Sequence, residues 1–347
     1  MAVAFSGTKL PQSQLAEIQS EIYADFGTFR DRDIFIDEGH KSGTDVYESK
    51  VTVNMRAATT GEVTADGAST YEVDKSPVTN ERIMFSDIVD ESTLLDTRFE
   101  KSMAKGAFNL VSTEFDNAVL QYITPAISER MESGLFDGAT TAQKALIAGL
   151  TPGAGQGSIS AGAQTLAAAM PTNLFNSLPA TILHNNSLSK ATPGAGLGDY
   201  KKVLSISTIT SSTIAAQYQL LFATLDPKTL NDPSNPPVIF APLAHRQFMR
   251  TANNSVGAAS NKNFDFDDAT LQSKAYFQGI EIKFKPLVGF IMCADPRYLK
   301  LLIDMISDIS TMETGQVANG AQQMWYKNVQ SLATWVTNQR YITLYGG

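Results

Sequence analysis

A single cysteine, Cys293, occurs in the 347 residues. No disulfide can form within the chain, and no multi-thiolate metal site can be built. The three histidines, His40, His184 and His245, stand far apart in sequence, so the pair of His four residues apart that marks helical zinc-protease sites is missing. Charged residues are scarce, at 18% against the usual ~25%, which excludes disorder driven by charge. With 27 Lys+Arg against 35 Asp+Glu the formal net charge is −8. No basic tract is present, a poor basis for gripping nucleic acid through phosphate neutralisation. Long apolar runs are also lacking. The longest, 238–243 and 286–294, fall far short of the ~20 residues that span a bilayer. The opening MAVAFSGTK has no basic segment followed by a long apolar one. These absences predict a soluble chain made in a reducing cytoplasm, with no membrane partner.

Catalytic signatures are equally thin. Two glycine loops, Thr151–Gly157 and Thr192–Gly198, share the pattern TPGAGxG; they read as loops, since the dinucleotide fingerprint needs GxGxxG after an apolar strand. Ser102 with Lys105 and Ser187 with Lys190 match SxxK, but the companion elements of the penicillin-binding enzymes are missing. Asn263, Asp265 and Asp267 imitate the first ligands of a calcium loop, yet Asp268 stands where glycine is needed and Lys274 where the last glutamate belongs. Cys293, in an apolar run, reads as a buried small hydrophobe. The expectation is a non-enzyme with no catalytic residue, cofactor or metal. A hydrolase using an acidic pair such as Asp265 and Asp268 is the alternative.

What is present is uneven charge and clear periodicity. Residues 1–150 carry 13 Lys/Arg and 24 Asp/Glu, and residues 151–347 carry 14 and 11. Either the first half has an acidic solvated surface, or its acidic segments face the more basic half of another copy. Gln14–Phe26 has helical spacing. From Tyr47 the pattern alternates, with Val51, Val53 and Met55 against Lys50, Thr52, Asn54 and Arg56, the mark of a half-exposed strand. Residues 59–68, with Asp66-Gly67, read as a turn. Alternation resumes through Tyr71 and Val73, and a second strand-like run covers 78–85; together these make a long hairpin with little core of its own, which is marginal alone in water. Leu95, Phe99, Met103, Ala107, Val111, Phe115 and Val119 step by four along one helix, with a capping box at Thr93 and a stop at Pro125. That predicts a spine of about 30 residues, roughly 45 Å long. Further on, 199–225 reads as helix, 238–241 as a buried strand, 245–252 as helix, 280–284 and 287–293 as strands, 298–309 as helix, and 324–345 as two strands. Helices and strands mix without regular alternation, so the fold class is α+β.

The order of parts is a poorly packed N-terminal arm, an extended two-stranded loop, a long helix, a mixed domain rich in small residues, and closing strands. With the spine 92–123, the loop 50–85, the run VIFAPLAHRQFM at 238–249, Gly279-Ile-Glu-Ile, Asp295-Pro-Arg-Tyr-Leu299 and the tail 335–345, it resembles the major capsid proteins of tailed bacteriophages, the Hong Kong 97 fold. The resemblance implies an arm at 1–38, an extended loop at 39–90, a peripheral domain with the spine helix at 91–165, an axial domain at 166–322 and closing peripheral strands at 323–347. It implies a subunit that self-assembles as hexamers and pentamers into an icosahedral shell around double-stranded DNA. The chain's place would then be the virion. Scaffold, portal and decoration proteins are the further partners implied, and the packaged DNA would be held without sequence preference. An encapsulin-type cellular compartment uses the same fold and is the alternative within it. The inter-subunit contact is expected at the loop tip, at Thr60, Gly61, Glu62, Val63, Asp66 and Gly67. Some relatives cross-link a loop lysine to a neighbour's asparagine. No lysine lies between Lys50 and Lys75, so the tip cannot do this, and Lys75 with Asn338 is the remaining pair.

Overall fold

The computed structural model describes residues 5–9, 28, 31, 33–41, 45–52, 70–77, 79–90, 113–150, 161–187, 202–205, 209–225, 227–230, 235–255, 263–267, 274–287, 289–303, 312–317, 323–337 and 341–346. In chain order the strands are β1 (Phe5–Lys9), β2 (Phe35–Asp37), β3 (Asp45–Thr52), β4 (Thr70–Pro77), β5 (Glu81–Asp90), β6 (Lys202–Ser205), β7 (Val238–Pro242), β8 (Asp265–Asp267), β9 (Lys274–Phe277), β10 (Ile280–Lys285), β11 (Phe290–Ala294), β12 (Leu299–Ile303), β13 (Met312–Val317), β14 (Gln323–Val336) and β15 (Thr343–Gly346). The helices are α1 (Thr113–Phe136), α2 (Thr141–Ala148), α3 (Ala161–Ala169), α4 (Leu178–Ser187), α5 (Ile214–Ala223), α6 (Pro227–Leu230) and α7 (Leu243–Ser255). Helices and strands follow one another without βαβ repetition, as the α+β expectation had it. The chain divides into two compact units, one of residues 1–41, 80–134 and 301–333, the other of 42–79, 135–300 and 334–347.

The first unit is organised by a six-stranded sheet in the order β1-β13-β14-β12-β2, with β5 also paired to β14. Over 324–328, β14 is hydrogen-bonded antiparallel to β13 on one edge and to β5 on the other. Ile83, Leu301, Leu302, Ile303 and Leu332 are buried. In α1, Ile127 and Met131 are buried one turn apart, the stripe of an amphipathic helix. The helix does not stop at Pro125: it continues to Phe136 with the proline inside it. An interior proline removes one backbone hydrogen bond and costs ~3 kcal/mol. Burial of Ile127, Met131, Leu135 and Phe136 beyond it offsets that penalty, at ~1.5–3 kcal/mol per large side chain. The part of the expected spine before Thr113, and the expected helix at Gln14–Phe26, lie outside the described residues.

The second unit contains a seven-stranded sheet in the order β6-β15-β11-β7-β10-β9-β8. β7 sits near its middle, parallel to β10 and antiparallel to β11. All five residues of β7 and of β11 are buried, which is why both read as continuous apolar runs rather than alternations. Ile239, Ala241, Ile291, Cys293 and Tyr345 join one core with Tyr218 and Leu221 of α5 and Met249 and Ala252 of α7. The alternate position Phe240 meets Phe136 instead, with ring centroids 5.8 Å apart. In α7 the buried residues are His245, Met249, Ala252 and Asn253, spaced i, i+4, i+7, i+8 as a core-facing stripe requires. A tight turn at Gln278-Gly279 joins β9 to β10, with φ of 48° and 82°. Positive φ at both central residues is the type I′ hairpin geometry.

Three expectations need correction. Residues 298–309 do not begin a helix: Pro296–Tyr298 is one 3-10 turn and Leu299–Ile303 is a strand. Among the described residues of 199–225, Lys202–Ser205 is a strand and the helix spans Ile214–Ala223. The return strand expected through Tyr71 and Val73 is present as Thr70–Pro77, but the run 78–85 does not complete the hairpin: Glu81–Asp90 leaves it to pair with β14.

Candidate inter-subunit surface

β3 and β4 form a two-stranded antiparallel ribbon that no third strand joins among the described residues. Its register runs from Asp45 opposite Pro77 to Thr52 opposite Thr70. Because side chains alternate along a strand, Tyr47, Tyr71 and Val73 fall on one face. All three are exposed, at 63%, 69% and 52%. The intervening sequence positions include Glu48, Lys50, Glu72 and Asp74. The same face carries Lys75, directly opposite Tyr47, and Asp45, so it presents aromatic and aliphatic side chains to water beside one ion pair. At its base Lys75 Nζ lies 2.7 Å from Asp45 Oδ2. The hydrogen bond and charge of Asp45 raise the Lys75 pKa further.

A second apolar surface lies on the sheet of the first unit. The register sets Ile88 opposite Trp325, Ser86 opposite Lys327 and Met84 opposite Val329. These residues share a face, and on it Met84, Ser86, Ile88, Trp325 and Lys327, with Asp87 and Tyr326 beside them, line an open groove of about 670 Å³. Met84 and Ile88 are 53% and 52% exposed. Burial first, and the charge of Asp87 second, raise the Tyr326 pKa.

The expected contact residues Thr60, Gly61, Glu62, Val63, Asp66 and Gly67 lie outside the described residues, as do Asn338 and Asp268. What the structure describes is the β3–β4 ribbon, whose strands flank that segment in sequence. The groove was not anticipated. Its sequence signal is the alternation Met84, Ser86, Ile88, which extends past Phe85, where the strand-like run of the sequence reading ends.

The groups with chemical potential elsewhere are held in packing roles. Burial pushes the Cys293 thiol up to about 12, so the thiolate that would react or bind metal is suppressed. Burial lowers His245 to about 4 and raises Tyr218 well above the usual phenol range. Asp265 sits exposed in β8, a three-residue strand at the end of the seven-stranded sheet. Among the described residues no group of three His, Cys, Asp or Glu could hold a metal ion, and no helix is long and apolar enough to cross a membrane.

A six-stranded sheet in one unit, a seven-stranded mixed sheet in the other, a 24-residue helix and a lone two-stranded ribbon match the Hong Kong 97-type fold seen in phage capsid structures. In particular, the chain superposes on a chain of the satellite phage P4 procapsid that includes the size determination (Sid) protein, with a TM-score of 0.50 and 11% identity over 97% of this chain and 99% of that one. A chain of the native GTA particle capsid matches at TM-score 0.49 and 11% identity, over 100% and 93%. A chain of the capsid of Myoviridae phage XM1 matches at 0.48 and 10%, over 92% and 91%. No family model and no curated protein matches the sequence.

Proposed function

We propose that this chain is the major capsid protein of a tailed bacteriophage, the repeating subunit of an icosahedral shell built from hexamers and pentamers. The observation that carries this is the β3–β4 ribbon. It exposes Tyr47, Tyr71 and Val73 on one face, and a lone two-stranded sheet has little stability in water. Assembly supplies the surface that such a ribbon needs, at the loss of no catalytic feature. The tip residues Thr60, Gly61, Glu62, Val63, Asp66 and Gly67 extend the same contact. In this reading the arm 1–38 and loop 39–90 serve neighbouring subunits, 91–165 with 323–347 forms the peripheral domain, and 166–322 forms the axial domain. Scaffold, portal and decoration proteins are its further partners, the shell holds double-stranded DNA without sequence preference, and the subunit is made in the host cytoplasm.

Negative-stain microscopy of the expressed protein, alone and with its genomic neighbours, tests this. Closed shells of uniform size are expected. A chain that stays monomeric in both settings would refute it, and shells filled with protein cargo and no nucleic acid would move the reading to a cellular compartment.

A further inference from the structure

We propose that β5 pairs edge to edge with β5 of a second copy, antiparallel about a two-fold axis at Ser86, with Arg82 opposite Asp90 and Met84 opposite Ile88. The inference rests on the shell reading and gives that assembly a two-fold contact between subunits. β5 pairs only with β14, so among the described residues its other edge carries no strand. That edge is ten residues long, against five for β1 and three for β2 at the two ends of the sheet. It holds no proline and no lysine, which are common guards against strand addition. A long bare edge of this kind is a template for a further strand through backbone hydrogen bonds.

The occupant follows from parity and charge. Along a strand, the backbone N–H and C=O groups of alternate residues point to opposite edges. The N–H of Ile88 donates to Asp87 Oδ1 of its own strand at 2.8 Å, which assigns the free edge to the even-numbered residues. Antiparallel pairing of this edge with its own copy then sets even residues opposite even residues. The register centred on Ser86 places Arg82 opposite Asp90 and Met84 opposite Ile88, once on each side of the axis. Centred one residue earlier, Arg82 would face Ile88; one residue later, Met84 would face Asp90. Met84 and Ile88 are 53% and 52% exposed, and in the chosen register each covers the other. Opposite charges and apolar pairs directly across strands are the stabilising combinations. Such self-complementarity is what a two-fold contact between identical patches requires.

Ser86→Cys in a Cys293→Ala background tests the register, since residue 86 then meets its own copy at a Cα separation of about 5.5 Å, within disulfide reach. Met84→Cys in the same background is the comparison: its two copies stand four residues apart along the pair, roughly 14 Å. Assembled particles are oxidised mildly and run on a non-reducing gel. Ser86→Cys should give ten-fold or more linked dimer than Met84→Cys. Normal particles in which Ser86→Cys gives no dimer, or no more than Met84→Cys, overturn the pairing and leave the shell reading standing. If the unaltered chain forms no particles, the shell reading fails and the pairing with it. Should either cysteine variant fail to fold or assemble, a charge exchange serves. Arg82→Asp should lower particle yield ten-fold or more with the monomer's melting temperature retained, and adding Asp90→Arg should restore it. Unchanged yield with Arg82→Asp, or no recovery in the double variant, overturns the proposal.

Discussion

The hydroxyl of Tyr218 lies 3.2 Å from Nδ1 of His245, and the two rings meet edge to face at 70° with centroids 6.1 Å apart. This contact ties α5 to α7 inside the core of the second unit. His245 is held neutral there by burial, with its pKa lowered to about 4. The unfolded chain takes up the proton near pH 6.5, so the stabilisation is complete above that value. It is lost as pH falls toward 4, by up to about 3 kcal/mol. The melting temperature of the native chain should therefore approach that of His245→Gln as pH drops from 7 to 4. Parallel curves for the two proteins over that range would refute the assignment.

The turn at Gln278-Gly279 carries a non-glycine residue at φ 48°. Its side chain donates to Gln219 Oε1 at 2.6 Å, in an exposed bond of small worth. Asn occupies the left-handed region at lower cost than Gln. Gln278→Asn should raise stability by about 0.5 kcal/mol, read as an upward shift in the denaturation midpoint. A fall in the midpoint would mean that the Gln219 bond outweighs the backbone strain.

Cys293 lies fully buried in β11, and burial pushes its thiol up to about 12. The native chain should resist a thiol reagent at pH 8 and react once unfolded. Cys293→Ala removes a small buried volume and should cost about 1 kcal/mol while leaving assembly intact. A disulfide-linked dimer on non-reducing gels of native particles would contradict this.

Lys75 is paired to Asp45 and its pKa is raised, so its amine stays protonated at neutral pH and is a poor nucleophile. Particles boiled in detergent should release chains of monomer size. A ladder of covalent multimers abolished by Lys75→Gln would show that a cross-link forms after all.

Exposed substitutions change monomer stability by no more than about 0.5 kcal/mol. The double change Tyr71→Ser, Val73→Ser should leave the monomer's unfolding midpoint nearly unchanged while shell yield falls sharply. A loss of midpoint would instead place those side chains within the subunit's own packing.

Local chemistry made much of the framework readable. The alternation beginning at Tyr47 announced β3, the apolar run 238–241 announced β7, and the alternation 280–284 announced β10. The aromatic and β-branched tail resolved into β14 and β15 as expected. These signals survive because each element's burial pattern follows its own backbone period. The same rule explains the failure at Leu299–Ile303. A short run buried on both faces has no period to separate strand from helix, and only its place in the sheet of the first unit made it a strand. Pro125 misled for a related reason, since intrinsic cost stops a helix only when tertiary packing does not offset it.

The sequence by itself was enough to place the fold: the order of arm, loop, helix and strands resembled the Hong Kong 97 fold that the structure has, while one cysteine, scattered histidines and absent motifs offered no pattern from which to read a catalytic site. Only the tertiary structure decided which strands pair. It detached Glu81–Asp90 from the hairpin and laid it on β14, creating the groove of Met84, Ile88 and Trp325. It also left Tyr47, Tyr71 and Val73 together on an uncovered face. Strand pairing joins residues hundreds of positions apart through backbone hydrogen bonds that every residue but proline can make, so no local pattern could have chosen those partners.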